Sequence, residues 1–182
     1  MFFKNYFTLL SEKITSVDSN FLHEASKKIL ALRGDNKIII VGNGGSANIA
    51  SHMAVDFTNA CKIPAITFSE QGLITCFSND YGFENWVSKA LEAYAKEGDL
   101  IILISSSGES QNIINAAKTA QQKGLDIITF SGFKKNNRLS SLGQQNFWVG
   151  SSDYNIVEMT HHIWLVAIAE NIILTNTVQE SS

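Results

Sequence analysis

A chain of 182 residues with 45% hydrophobic content is long enough to bury one sizeable core and too short for a second domain to be expected. A net charge of -3, with no basic run larger than Lys134-Lys135, excludes nucleic acid held on a basic surface. Cys61 and Cys76 lack paired metal-ligand spacing, no secretory signal is evident, and the chain reads as cytoplasmic with reduced thiols.

Through residues 1–35, Phe7, Leu10, Ile14, Val17, Phe21, Ala25, Ile29, Leu30 and Leu32 follow helical spacing. They form a helical arm of one helix or two, with a possible break at Asp18-Ser19-Asn20, covering either its own domain or a neighbouring subunit. Lys37 to Gly42 reads as a central strand. It ends in Gly42-Asn43-Gly44-Gly45-Ser46-Ala47 and leads into a helix from about Ser46 to Ala60. This spacing satisfies neither the dinucleotide fingerprint nor the Walker pattern. The glycines still let the backbone approach a ligand closely, and Asn43, Gly44, Gly45 and Ser46 are candidate binding residues; a purely structural turn is the alternative. On the helix that follows, His52 and Asp56 lie four residues apart on one face. They suit a proton relay, a divalent metal or a simple stabilising surface pair. Ala65 to Phe68 is a short strand. Ser78 to Phe83 reads as a turn, in which Asn79 and Asp80 bond their own backbone or accept hydrogen bonds from sugar hydroxyls. A helix spans about Glu84 to Lys96.

Leu100 to Ile104 is an apolar run suited to a strand buried on both faces, and after Gly108 the residues Ile113, Ile114, Ala116, Ala117 and Ala120 recur at helical spacing. The chain changes from strand to helix through Ser105, Ser106, Ser107 and Ser110. A helix N-terminus offers unpaired amides and a partial positive charge, and serine hydroxyls add donors without charge. Four serines in six residues exceed what a helix cap requires, so phosphate or another anion is the expected guest. Leu125 to Phe130 is another strand, Gly132 to Asn137 a loop, Leu139 to Leu142 a short helix and Phe147 to Val149 a last strand. Strands alternating with helices over 36–150 predict an α/β fold with a parallel, doubly wound sheet and helices on both faces. Both polar turns then lie at the carboxyl edge, where one ligand can touch both. A C-terminal helix over 151–175 carries Glu158, His161 and His162, with Trp164, Leu165, Ile168, Ile172 and Ile173 as core positions; 176–182 reads as a polar tail. Its apolar run Ile163 to Ala169 stops at Glu170 and Asn171, short of the roughly 18 residues of a membrane span.

Four stretches together resemble the sugar isomerase (SIS) domain family, and within it the phosphoheptose isomerase group: Gly42 to Ala47, Asn79 to Phe83, Glu97 to Asp99 and Ile104 to Ser110. The resemblance covers nearly the whole chain and implies a single SIS domain: a flavodoxin-like, three-layer, five-stranded parallel sheet with an N-terminal helical arm. It further implies a homotetramer with active sites between subunits and a sugar-phosphate substrate. By the same resemblance Ser46, Ser105, Ser106, Ser107 and Ser110 hold the phosphate, while Asn43 and Asp80 contact the sugar. The family has a glutamate where Asp56 stands, and a glutamine and a histidine where Val157 and Leu165 stand; those positions serve catalysis and, in several members, zinc. The expected activity is a ketose-aldose isomerisation of the sedoheptulose 7-phosphate type in heptose or surface-polysaccharide synthesis. Asp56 is then the base and His162, or His161, its partner. Zinc, if used, would be held by His52, Asp56, Glu158 and His162. A hexulose phosphate is another possible substrate. A non-catalytic sugar-phosphate-binding regulator, resembling the initiator-associating protein of this group, is the alternative function.

Overall fold

Residues 38, 40, 102, 104, 128 and 130 belong to one buried cluster, and residues 39, 41, 101, 103 and 127 to another. That alternation is the two-residue period of strands with both faces covered, and it explains why the strands are continuous runs of isoleucine, leucine and valine. The computed structural model describes residues 1–180, and side chains through 178. Five parallel strands, β1 (Ile38–Val41), β2 (Ala65–Thr67), β3 (Leu100–Ser105), β4 (Asp126–Ser131) and β5 (Gln145–Trp148), lie in the order β2-β1-β3-β4-β5. The chain leaves β1 towards one edge of the sheet and returns to build β3 on its other side. The carboxyl ends of β1 and β3 therefore flank the point where the winding reverses, which is where open α/β sheets bind ligands.

Helices α2 (Ser19–Leu30), α3 (Gly45–Asn59) and α7 (Tyr154–Glu180) cover one face, with Trp164, Phe57, Phe147 and Leu165 at the centre of that core, and α1 (Phe2–Ile14) packs against α7. On the other face, α5 (Trp86–Tyr94) and α6 (Gln111–Gln122) bury Trp86, Leu91, Ile113 and Ala117, and α4 (Gln71–Tyr81) packs on α5. The helical arm is two helices. Asp18 caps the second by accepting from the Asn20 amide at 2.9 Å, so the expected break at Asp18-Ser19-Asn20 is a true N-cap. None of the residues of α1 is buried, and Phe2, Phe3 and Phe7 are more than half exposed; the Trp164 indole tethers its end by donating to the Ile14 carbonyl at 2.8 Å.

Two boundaries differ most from the sequence reading. Ser78 to Tyr81 is not a turn but the last turn of α4, because Leu73, Ile74 and Phe77 recur at helical spacing against the core and only Gly82, at φ 83°, ends the helix. The expected polar tail is helical as far as Glu180; the Thr175 hydroxyl bonds the Asn171 carbonyl within the helix, and the Asn176 amide donates to the Cys61 carbonyl at 3.3 Å. Ser181 and Ser182, the end of that expected tail, lie outside the described residues. By length and composition α7 is apolar enough to cross a bilayer. Ile156, Val157, Leu165 and Ile172 are nevertheless fully buried in the protein core, so the inner face of α7 is already covered.

Candidate active site

The serine turn grows out of β3. Ser105, its last residue, is 4% exposed and Ser106 5%. The Gly108 amide closes a tight turn on the Ser105 carbonyl at 2.9 Å, with Gly108 at φ 68°, so the chain reverses and begins α6 within five residues. Ser110 occupies the N-cap of α6 but makes no side-chain capping bond; its hydroxyl accepts from Ser105 at 3.1 Å. The serines are therefore not spent on the cap. Their hydroxyls, together with the amide-rich start of α6, bound a cavity of about 100 Å³ lined by Asn43, Ser46, Ser105, Ser106, Ser107, Ser110, Tyr154 and Glu158. That volume matches a few water molecules, the size of a phosphate rather than a whole sugar phosphate.

The glycine turn supplies the opposite wall. Gly44 sits at φ 54°, a conformation that side chains rarely adopt, and a side chain on Gly45 would push the Glu158 carboxylate aside. Because β1 and β3 are paired, with Val41 opposite Leu103, the two turns are neighbours. Asn43 and Asn112 lock them together through reciprocal amide bonds of 2.9 Å each. Asn112, 2% exposed at the start of α6, was not singled out by sequence; its position just after the serine motif is the only signal that marks it. Asn43 also lines a second cavity of about 190 Å³, bounded by Gly42, Gly44, Thr67, Ser69, Phe83 and Trp86.

Further down α3 and α7 lies the titratable cluster. His52 Nε2 is 3.3 Å from Asp56 Oδ2, and His52 Nδ1 is 2.7 Å from His162 Nε2. If Asp56 accepts the His52 Nε2 proton, His52 Nδ1 must accept the His162 Nε2 proton, which leaves His162 Nδ1 with a free lone pair. Burial pushes the His162 pKa below the ordinary value, and the neighbouring His52 pushes it the same way, against an upward pull from Asp56. His162 is thus a neutral proton acceptor at pH 7.

The other expected site residues separate. His161, the alternative catalytic histidine, is fully buried: Nε2 donates to the Ser131 carbonyl at 3.0 Å, the ring packs edge-on against Phe130, and Nδ1 has no partner. It faces the core because adjacent helical residues point about 100° apart, and His162 takes the direction that meets α3. Glu158 turns towards the serines and accepts from the Ser106 hydroxyl at 3.3 Å. Asp80 is exposed on α4, where the Asn79 amide and the Cys76 thiol donate to it, and it lines neither cavity in this chain. Among the described residues no three His, Cys, Asp or Glu side chains converge on a metal position. Asp56, His52 and His162 form a line in which both His52 nitrogens are engaged, and Glu158 points elsewhere, so this donor set does not fit a tetrahedral zinc ion. Val157 and Leu165 are fully buried and bring no polar group to the site.

Tyr154 is a second lining residue that sequence reasoning missed. Asp153 caps α7 by accepting from the Asn155 and Ile156 amides, which makes Tyr154 the first helical residue and aims it at the serine turn across the sheet edge. Nothing in its local sequence distinguishes that direction from solvent.

The SIS domain model matches residues 2–132. The chain is 38% identical over 141 residues to the phosphoheptose isomerase of Fusobacterium nucleatum, covering 75% of this chain and 72% of that protein. It is also 38% identical over 137 residues to that of Thermodesulfovibrio yellowstonii, covering 72% of this chain and 68% of that protein. Among solved structures, phosphoheptose isomerase GmhA from Neisseria gonorrhoeae superposes with a TM-score of 0.83 at 26% identity over 90% of both chains. The chain belongs to the SIS-domain family, in its phosphoheptose isomerase-like group.

Proposed function

We propose that this protein is a ketose-aldose isomerase of a sugar phosphate, of the sedoheptulose 7-phosphate type, serving heptose or surface-polysaccharide synthesis. The observation that carries the reading is the alignment of a phosphate-sized, hydroxyl-lined cavity with the Asp56-His52-His162 line on the same two helices. From Ser46 to His52 is six residues of α3, about 9 Å at 1.5 Å per residue. Seven carbons joined by bonds of about 1.5 Å span roughly 8 Å when extended. A heptose anchored by its phosphate among Ser46, Ser105, Ser107 and Ser110 thus brings its C1-C2 end level with His52 and His162, with Asp56 four residues further along α3, about 15 Å from Ser46. The names of the relatives point to the same substrate class.

The reaction breaks the C1–H bond of the ketose and forms the C2–H bond of the aldose through an enediolate. With the sugar seated past His52, Asp56 takes the proton from C1 and, after exchange with solvent, delivers one to C2. His162, neutral at its free Nδ1, accepts the O1 proton and delivers it to O2, so that charge never accumulates on both oxygens. His52 holds His162 in the required tautomer and is itself oriented by Asp56. Incubation with sedoheptulose 7-phosphate in deuterated water tests the reading: aldose product and deuterium at C2 are expected. Tight binding with neither product nor exchange at C1 would replace it with a non-catalytic sugar-phosphate sensor.

The same reading includes a homo-oligomer, as a tetramer. What supports it is α1, which buries no residue yet presents Phe2, Phe3 and Phe7 at 72%, 72% and 63% exposure.

A further inference from the structure

Phe133 holds a backbone conformation that bulky residues avoid. Its φ is 56°, in the left-handed region, where a phenylalanine is an outlier kept only by surroundings that over-determine it. The surroundings do so here. The Phe133 amide donates to the Ser151 carbonyl at 2.8 Å, and the Asn137 amide ties down the loop by donating to the Ser131 hydroxyl and to the Gly132 and Lys134 carbonyls. Glycine would satisfy this backbone without strain, so the side chain is what the strain retains. That ring packs edge-on against Tyr154, with centroids 4.9 Å apart and planes at 67°. Tyr154 in turn lines the serine cavity. It is 58% exposed, so core packing does not account for a large aromatic at this point.

Tyr154 also answers a chemical need of the pocket. Ser106 turns its proton towards Glu158, and Ser105 turns its own towards Ser110, so two of the hydroxyls facing the cavity are already committed as donors. Glu158 adds negative charge to a place that must hold an anion. A phenol is a donor that brings no charge and reaches further than serine.

Resting on the sugar-phosphate reading above, we infer that Tyr154 is a substrate-positioning residue whose phenol donates to the outer side of the bound phosphate, with Phe133 as its buttress. Tyr154 thereby closes the one wall of the cavity that the serine and glycine turns leave to α7, and sets the direction in which the sugar leaves the phosphate.

The test is titration of the 182-residue protein with inorganic phosphate and with sedoheptulose 7-phosphate, using Tyr154→Phe, Phe133→Gly and the double variant. Tyr154→Phe removes one oxygen and is expected to weaken both ligands about three- to tenfold, the worth of one hydrogen bond. It should raise KM by the same factor and leave kcat within about twofold, since no proton transfer passes through the phenol. Phe133 also packs against the core, so urea unfolding of Phe133→Gly is measured alongside; in the folded variant binding is expected to weaken similarly, and in the double variant no more than in Tyr154→Phe alone. Unchanged phosphate affinity in Tyr154→Phe overturns the inference while leaving the isomerase reading intact. Additive losses in the double variant overturn the role of Phe133. Failure of the unmodified protein to bind either ligand overturns the sugar-phosphate reading itself.

Discussion

Replacing His161 by phenylalanine separates a core histidine from a catalytic one and can be worked out in free energy. The ring is fully buried, and burial pushes its pKa down to about 4, against a smaller upward effect of the hydrogen bond to the Ser131 carbonyl. In the unfolded chain the same ring takes a proton near pH 6.5. Between pH 6.5 and 4 the unfolded state therefore binds more protons than the native one, and stability is whole above pH 6.5 and falls as the pH drops towards 4. At 1.36 kcal/mol per unit the loss is about 3 kcal/mol by pH 4. Phenylalanine keeps the volume and the edge contact with Phe130, forfeits one hydrogen bond worth about 1 kcal/mol, and removes an unpartnered buried Nδ1 that costs a comparable amount. The Ser131 carbonyl is not orphaned, since it also accepts the Val149 amide at 2.9 Å. The variant should match the unmodified protein within about 1 kcal/mol at pH 7.5 and exceed it by about 2–3 kcal/mol at pH 4.5. Urea unfolding of both proteins at pH 7.5, 6, 5 and 4.5 reads this directly, because every carboxylate common to both cancels in the difference. A difference that stays constant across that range refutes the assignment, as does loss of isomerisation in a folded variant.

Two further outcomes follow from single contacts. Glu158→Gln removes the carboxylate from the anion cavity and should bind inorganic phosphate about tenfold more tightly by calorimetry, given roughly 1–4 kcal/mol between unit charges at such distances; equal or weaker binding would show that the carboxylate does not face the anion. Asp99, with no exposed surface, accepts from the Lys37 and Lys96 amides at 3.0 Å each and from Lys37 Nζ at 2.6 Å. Burial alone would raise its pKa, but the Lys37 ammonium and the two amides outweigh it and hold the carboxyl below the usual range. Its contribution is present above the ordinary carboxylate pKa and lost as the pH falls through the lowered one. Lys37→Met leaves that carboxylate without its cation and should cost about 3 kcal/mol in urea unfolding at pH 7; a loss below about 1 kcal/mol would count against the ion pair as the clasp between the starts of β1 and β3.

Local chemistry alone determined a good deal of this protein. Buried parallel strands need residues that are apolar on both faces, so Ile38 to Val41 and Leu100 to Ile104 declare themselves; sharp turns at their carboxyl ends need glycine, and an anion on a helix start needs hydroxyls, so Gly42 to Ser46 and Ser105 to Ser110 do too. The tertiary structure decided everything that depends on which element lies beside which. Only the strand order makes the glycine and serine turns neighbours and pairs Asn43 with Asn112. Only the packing of α7 against α3 turns His162 to His52 and His161 into the core, since spacing places residues on a helix but does not say which face meets which partner. The same limit hid Tyr154 and Phe133, whose meeting joins the β4-β5 loop to the first turn of α7, and it left Asp80 looking like a turn residue when a helix carries it. Periodicity is a property of one segment, whereas a site is a property of several, and their mutual placement is fixed by the shared core beneath them.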